Sequence, residues 1–284
     1  MAPLLFVQVL YGQAFYPATI LLGWTWLAVP LLLIVGYAAV YQLKFRGPGS
    51  PAAGWPGLIA LCFLAVAAIH VTANVLQLTP GRWVAVATGQ ARAAADTTLL
   101  PRLLHFVLGS LAVGGMVLAL WPGRHGDAEA GARLARLGAR WALLATGLQM
   151  ADGFWFVFAL PLDILKPLVT GHWPATPLLA VAMGLGFLTL MLLAQLGDPL
   201  RQRALARGAG AALFLTILAM ILVRDTVRGL YLSPAIQPAR LPVAAQWDLV
   251  VLFAAVLVLG LLSLVWVGRR VRADRAAAGA RAKE

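Results

Sequence analysis

The stretch "LAVAAIHVTANVLQLTP", residues 64–80, decides the fold class because it is almost wholly apolar and yet carries a polar seam. At about 3.6 residues per turn, His70, Asn74 and Gln77 recur at i, i+4 and i+7 and share one helical face. The apolar run around the seam covers residues 55–79, and a membrane-spanning helix needs about 20 mostly apolar residues. The segment therefore predicts a membrane span whose ionisable and amide groups need partners.

The whole chain shows the same character. Of its 284 residues, 62% are hydrophobic and 11% are charged, whereas soluble domains carry roughly 25% charged residues. We expect an all-α polytopic transmembrane bundle in a single domain, residues 1–267. Its parts are an outer interfacial segment at 1–15, an outer surface loop or short helix at 80–98 and a basic, partly disordered cytoplasmic tail at 268–284. The seven predicted spans cover residues 16–42, 55–79, 99–121, 141–163, 176–197, 208–232 and 247–267.

The connectors between these spans alternate in charge. Fifteen of the 22 Lys and Arg residues lie in the tail and in the connectors on its side of the membrane, whereas five lie in the opposite set, among them Arg102. The positive-inside rule then predicts an outer N-terminus and a cytoplasmic C-terminus. The net charge of +12 thus marks orientation and contact with the lipid bilayer, and predicts no nucleic-acid binding. A single cysteine, Cys62, excludes an intrachain disulfide and any CxxC motif.

Two histidines fall on consecutive predicted spans at similar depth. His70 lies roughly 14 Å, and His105 roughly 9 Å, below the predicted outer face. Neutral imidazole is a usual axial haem ligand, so the pair predicts haem b with His70 and His105 on the iron. Gly109 would leave room for the macrocycle or serve ordinary helix packing, and Asn74 would orient a propionate or a ligand, or bond across helices. The alternative is that each histidine hydrogen-bonds a neighbour and holds the bundle together.

Other ionisable residues fall in the same predicted outer half. Arg224 and Arg228 are one turn apart and predict a clamp on haem propionates. Asp225 and Asp152 are predicted to take protons from a quinol, Asp152 as a lone carboxylate among apolar neighbours. The alternative for the first three is an ion pair that anchors the span, and pairing of Asp152 with either arginine would weaken its predicted role. Less involvement is predicted for Met150, His125 and His172.

A resemblance extends over roughly the first 120 residues. "APLLFVQVLYGQAFY", "WTWLAVPLLLIVGYAAVY" and "LPRLLHFVLGSLAVGGM" are similar to stretches of b-type, quinol-interacting membrane subunits found with multihaem c-type cytochromes in bacterial respiratory chains. The resemblance implies a bacterial inner-membrane subunit with haem b or a quinone site. It also implies other membrane subunits and a periplasmic multihaem cytochrome c as partners.

These expectations describe a membrane electron-transfer subunit, as in a quinol:cytochrome c oxidoreductase. Two other classes stay open. A copper or small-solute permease would use His70, His105 and Met150 as transient ligands, although the sequence has few Met residues and no discontinuous helices. A cofactor-free anchor subunit would use the polar layer only to pack against its partners.

Overall fold

The computed structural model describes residues 2–46, 54–121, 128–171, 173–233, 235–236 and 247–281. Within these ranges the chain is all helical and contains no strand. Six helices are long and apolar enough to cross a membrane, and a bent pair adds a seventh crossing if it forms one span. The predicted polytopic helical bundle is confirmed. The helices are α1 (Ala2–Leu22), α2 (Trp24–Phe45), α3 (Trp55–Leu78), α4 (Trp83–Ala87), α5 (Leu99–Leu120), α6 (Ala128–Phe158), α7 (Leu162–Val169), α8 (Ala175–Ala194), α9 (Arg203–Leu232) and α10 (Trp247–Arg281).

Three antiparallel hairpins build the first of two compact units, Met1–Pro238. They pair α2 with α3, α5 with α6, and α8 with α9. Each hairpin is joined at the end that the charge pattern predicts to be cytoplasmic. At the opposite end, longer connections link one hairpin to the next, and α3, α5 and α9 meet there. We call this the polar end, because Asn74, Asp96 and Arg102 lie in it.

The α5–α6 hairpin is held by direct contact between the two backbones. A Cβ added to Gly115 would lie 2.6 Å from the backbone nitrogen of Ala142, and one on Gly138 would lie 2.6 Å from the Gly115 carbonyl oxygen. No real Cβ tolerates such distances, so only glycine fits at these two positions. Small residues at membrane helix interfaces let backbones approach in this way, where dispersion replaces the missing hydrophobic drive.

The N-terminal region differs from the prediction of an interfacial segment followed by a span at 16–42. The helix α1 runs to Leu22 and is kinked at Tyr11, and the chain then turns at Gly23 before α2 begins. Gly23 adopts φ 52°, a left-handed conformation that costs glycine little. The second half of α1 packs within this chain, mainly on α3, so the apolar run is divided between two helices.

Several helices extend beyond the predicted spans. The helix α6 begins at Ala128 rather than near 141 and has 31 residues, a length of about 46 Å. The helix α9 begins at Arg203, and α10, in the second unit, continues to Arg281, so the tail predicted to be partly disordered is helical to that residue. Apolarity marks the stretch inside the membrane, but a helix with solvated charges continues past it. The salt bridge between Glu129 and Arg133, 2.9 Å across one turn of α6, lies in such an extension.

The predicted surface segment forms a short, internally hydrogen-bonded structure at the polar end. It contains a 3₁₀ turn at Pro80–Arg82 followed by α4. Arg82 donates hydrogen bonds to Asp96 Oδ2 at 3.0 Å and to the Ala95 carbonyl at 2.7 Å, which closes the segment on itself. The Trp83 indole N–H donates to the Leu76 carbonyl at 2.8 Å and ties the segment to the end of α3. We call residues 79–98 the lid segment.

Candidate functional site

Arg102 joins α3 and α5 at the polar end. Its Nη1 donates to Asn74 Oδ1 at 3.2 Å, and its Nη2 donates to Thr98 Oγ1 at 3.4 Å. The guanidinium lies 4.8 Å from the centre of the Phe156 ring on α6, with the Tyr231 phenol of α9 beside it. Only 6% of Arg102 is exposed. The sequence placed this residue in a connector, and the structure corrects that: it is a buried cation inside the bundle.

The bond between Asn74 and Arg102 fixes the relative depth of the two histidines. On α3, His70 lies four residues before Asn74, about 6 Å deeper, and on α5, His105 lies three residues after Arg102, about 4.5 Å deeper. Since α3 and α5 are antiparallel neighbours, both histidines lie one turn below the same cross-link. This register gives His70 and His105 nearly equal depth.

His70 is held by its own helix and by α2. Its Nδ1 is 2.9 Å from the Val66 carbonyl oxygen, one turn back along α3. A carbonyl oxygen can only accept, so Nδ1 donates this hydrogen bond, and in the neutral ring Nε2 keeps its lone pair. The ring lies 5.1 Å from the Trp26 ring, centre to centre, at a tilt of 53°.

His105 is paired with a buried carboxyl group. Its Nδ1 is 3.0 Å from Asp152 Oδ2 on α6, and Asp152 is 7% exposed. The other oxygen, Oδ1, has no hydrogen-bond partner among the described residues. Asp152 was predicted to stand alone or to pair with an arginine, and the structure pairs it with a histidine instead. Gly153 lies beside this ring, and a Cβ there would make an ordinary contact of 3.5 Å with His105 Cε1.

The space beside Gly109 holds an amide side chain. A Cβ on Gly109 would lie 3.5 Å from Gln149 Nε2 of α6. The buried oxygen Oε1 of Gln149 has no hydrogen-bond partner among the described residues. Gln149 therefore lies beside Gly109 at a distance that a Cβ would also tolerate, and the role of Gly109 beside a macrocycle stays a prediction.

The two arginines of α9 lie against aromatic rings from other helices. The Arg224 guanidinium is 5.2 Å from the centre of the Phe106 ring on α5, and that of Arg228 is 5.0 Å from the Tyr11 ring on α1. Arg228 Nη1 is also 3.3 Å from Asp225 Oδ1. The Asp225 side chain is 63% exposed, and Arg228 is its only hydrogen-bond partner among the described residues. The ion pair expected as the alternative therefore forms between Asp225 and Arg228.

The polar end thus contains two histidines whose Nε2 atoms have no hydrogen-bond partner among the described residues, and the neighbouring arginines Arg102, Arg224 and Arg228. A metal-ligating histidine almost always donates its other N–H to a carbonyl or a carboxylate, and His70 and His105 show these two arrangements. In this respect the residues fit bis-imidazole ligation. Their ring contacts among the described residues are with Trp26 and Phe156, so each ring packs against a different helix.

The remaining candidates lie elsewhere. Met150 packs against α8, where its sulfur would be 3.0 Å from a Cβ on Gly186. His125 and His172 lie outside the described residues. Within the described ranges, no three His, Cys, Asp or Glu side chains group as metal ligands.

Searches of family models, of curated proteins and of solved structures find no match to this chain.

Proposed function

We propose that this multi-pass membrane protein is an electron-transfer subunit of a bacterial inner membrane that holds one haem b through Nε2 of His70 and of His105. The observation that supports it is the cross-link between Asn74 and Arg102, which gives the two imidazoles nearly equal depth on neighbouring helices. In both rings Nδ1 forms a hydrogen bond, and Nε2 has no partner among the residues that the structure describes. Buried ionisable residues in a membrane bundle are functional candidates by default.

Haem b, when bound, supplies one-electron oxidation and reduction at an iron held by the protein. The chain's own residues would orient the ligands: the Val66 carbonyl holds His70, and Asp152 holds His105 in the tautomer that presents Nε2. Arg102, one turn from His105, offers a buried positive charge for a propionate. Asn74 keeps that guanidinium in place.

The proposed partners are the membrane quinone pool and a periplasmic c-type cytochrome. A quinone needs an apolar slot, and an open groove of about 410 Å³ lies near His70, between α3 and the lid segment. Its lining is mostly apolar, with the Thr25 and Thr72 side chains and Arg92 as polar groups. An apolar slot with a few polar groups at its wall matches the general character of small-molecule sites.

The contact between His105 and Asp152 also favours a second candidate, a haem-free quinol site. Nε2 of His105 would accept a proton from the quinol hydroxyl, while Asp152 orients the ring and stabilises the imidazolium. This use of His105 competes with iron ligation because both require the same nitrogen. The two candidates therefore differ in one measurable property, the haem content of the purified protein.

The pyridine haemochrome assay on the purified full-length chain tests the proposal. We expect one haem b per chain, and we expect its loss in His70→Ala and in His105→Ala. His125→Ala is the matched control, since the sequence predicts that histidine in a connector. Full haem content in purified His70→Ala would contradict the ligand assignment, and a haem-free wild type that binds a quinol analogue, with binding lost in His105→Ala, would favour the second candidate.

A further inference from the structure

One face of α9 changes from apolar to cationic along its length. Ile217, Ile221, Arg224 and Arg228 follow each other at spacings of four, three and four residues and therefore form a single stripe. Ile221 is 56% exposed, and Ile217 is 36% exposed. In a membrane protein, exposed aliphatic side chains on a spanning helix face acyl chains, so the stripe leads from lipid towards the arginines.

The positive charge at the end of this stripe is only partly compensated. Arg224 lies close enough to Arg228 and Arg102 for mutual repulsion between the guanidinium groups. The acidic group bonded to this trio is Asp225, which reaches only Arg228 and is mostly exposed. Asp96 also attracts Arg102 but is already paired with Arg82, so these four cations and two anions leave an excess of positive charge, which is costly at membrane depth. An additional anion would remove that cost.

Aromatic rings hold the two α9 guanidinium groups in place and leave most of their N–H donors available. Phe106 lies under Arg224 and Tyr11 under Arg228, and contact with a ring face leaves the N–H groups available. The structure gives Arg224 no hydrogen-bond acceptor among the described residues, and Arg228 Nε is buried without one. Two guanidinium groups one turn apart present a fork of donors suited to phosphate oxygens.

We propose that Arg224 and Arg228 bind the phosphate of an anionic phospholipid from the leaflet at the polar end. The acyl chain would lie along Ile217 and Ile221, beside the Phe106 ring, which is 42% exposed. The ligand must be amphiphilic because the exposed aliphatic side chains lead directly to Arg224, which is exposed, and then to Arg228, which is largely buried. This site does not depend on haem, and it differs from the earlier expectation that these arginines hold propionates.

The test compares the full-length protein in nanodiscs of phosphatidylcholine alone and in nanodiscs that also contain phosphatidylglycerol. We expect native mass spectrometry to show retained phosphatidylglycerol and thermal unfolding to shift upward with that lipid. Arg224→Gln and Arg228→Gln should each lower the affinity for phosphatidylglycerol about tenfold or more, since each removes charge-assisted hydrogen bonds. Arg133→Gln, the same charge change at the opposite end of the bundle, should leave both readouts unchanged.

Arg224→Lys keeps the charge and removes the fork, so it should retain part of the lipid response even if the glutamine variants fold poorly. The response should also persist in His70→Ala, which separates this proposal from the haem assignment. An unchanged lipid response in both glutamine variants would overturn the proposal. An equal loss of the lipid response in Arg133→Gln would also overturn it. A loss of haem from the two glutamine variants, with the lipid response intact, would overturn it as well and would assign the arginines to the haem propionates.

Discussion

The guanidinium of Arg102 and the side-chain amide of Asn74 are joined by a 3.2 Å hydrogen bond between α3 and α5. The bond connects helices that are separated in sequence by the whole lid segment. It lies one turn from His70 on one helix and one turn from His105 on the other. The polar side chains at this end of the bundle are therefore parts of one arrangement, whose register is set by a side-chain contact as well as by apolar packing.

Asn74→Ala should lower the free energy of unfolding by about 1–3 kcal/mol, because it leaves an N–H of a buried guanidinium without its acceptor. Reversible unfolding in mixed micelles measures this loss. Because the two residues share the bond, Asn74→Ala and Arg102→Ala should be non-additive in a double-mutant cycle. Thr72→Ala, whose hydroxyl bonds only within its own helix, serves as the control. Strict additivity would show that the bond does not form in solution.

Gly138→Ala should destabilise the bundle by about 1–3 kcal/mol or more, since the new Cβ would collide with the Gly115 carbonyl and with Leu118 Cβ. Gly114→Ala is the matched control, because a Cβ at that position meets nothing within 4 Å. The apparent melting temperature in detergent measures both. Equal melting temperatures for the two variants would mean that the backbones of α5 and α6 do not contact each other at Gly115 and Gly138.

Arg82→Gln should open the lid segment, because it removes the salt bridge to Asp96 and the bond to the Ala95 carbonyl. Limited trypsin digestion should then cut after Arg92 several-fold faster than in wild type. Thr88→Ala, in the same segment but with only local hydrogen bonds, should keep the wild-type rate. In sealed right-side-out vesicles the cut should occur, and in inverted vesicles it should not. The reverse result would contradict the predicted orientation.

Asp152→Ala should weaken haem retention about 10–100-fold, the usual effect of losing the group that orients a histidine ligand. Asp152→Asn keeps an acceptor for His105 Nδ1–H but removes the negative charge. This variant should therefore retain the haem and raise its midpoint potential. A redox titration of the haem-loaded protein measures the shift. Asp163→Asn, on α7, is the control. An unchanged potential in Asp152→Asn would show that the carboxylate does not act on the ligand.

The connector between α8 and α9 should give the protein an acid-sensitive contribution to stability. Asp198 accepts hydrogen bonds from the backbone N–H groups of Arg201 and Leu200 and lies 3.4 Å from Arg136. These contacts, Arg201 foremost, lower the pKa of its carboxyl group from its ordinary value. A carboxyl group whose pKa is lower in the folded than in the unfolded state stabilises the folded protein. This stabilisation is fully present at pH values above the unfolded-state pKa, and it is lost as the pH falls through the folded-state pKa.

The advantage of wild type over Asp198→Asn should therefore be constant near neutral pH and shrink below about pH 4. Thermal unfolding of both proteins across this range measures it. Glu129→Gln is the control, because an exposed pair within one helix is worth only about 0.3–0.5 kcal/mol. A gap between wild type and Asp198→Asn that widens in acid would contradict the assigned direction.

Hydropathy predicted the number and order of the long apolar helices because a bilayer imposes one length and one polarity on every span. It misplaced helix ends, as at Ala128 and Arg203, because backbone hydrogen bonding continues into water where apolarity stops. It also divided the N-terminal run wrongly, since the turn depends on the backbone conformation of Gly23. Residue type alone does not reveal such a break.

Within the site, the polar residues were found because any ionisable group stands out in an apolar span. Their partners were not found. Arg102 was counted as a connector charge because it lies only three residues inside α5, and Asp152 was expected to be alone because its partner belongs to another helix. A signal was present in the spacing, since Arg102 and His105 mirror Asn74 and His70 on antiparallel helices. Lateral pairings of this kind need the helix neighbours to be known.

The contact of Gly115 with Ala142 has a consequence for how this chain tolerates insertions and deletions. His105 is ten residues from Gly115 on α5, and Asp152 is ten residues from Ala142 on α6, so both lie about 15 Å from the contact. A single residue added to either stretch would turn its side chain by about 100° and separate the pair. Length changes are therefore compatible with the paired side chains only when they occur in the connector between the helices, or when both arms lengthen by the same whole number of turns, about seven residues for two turns.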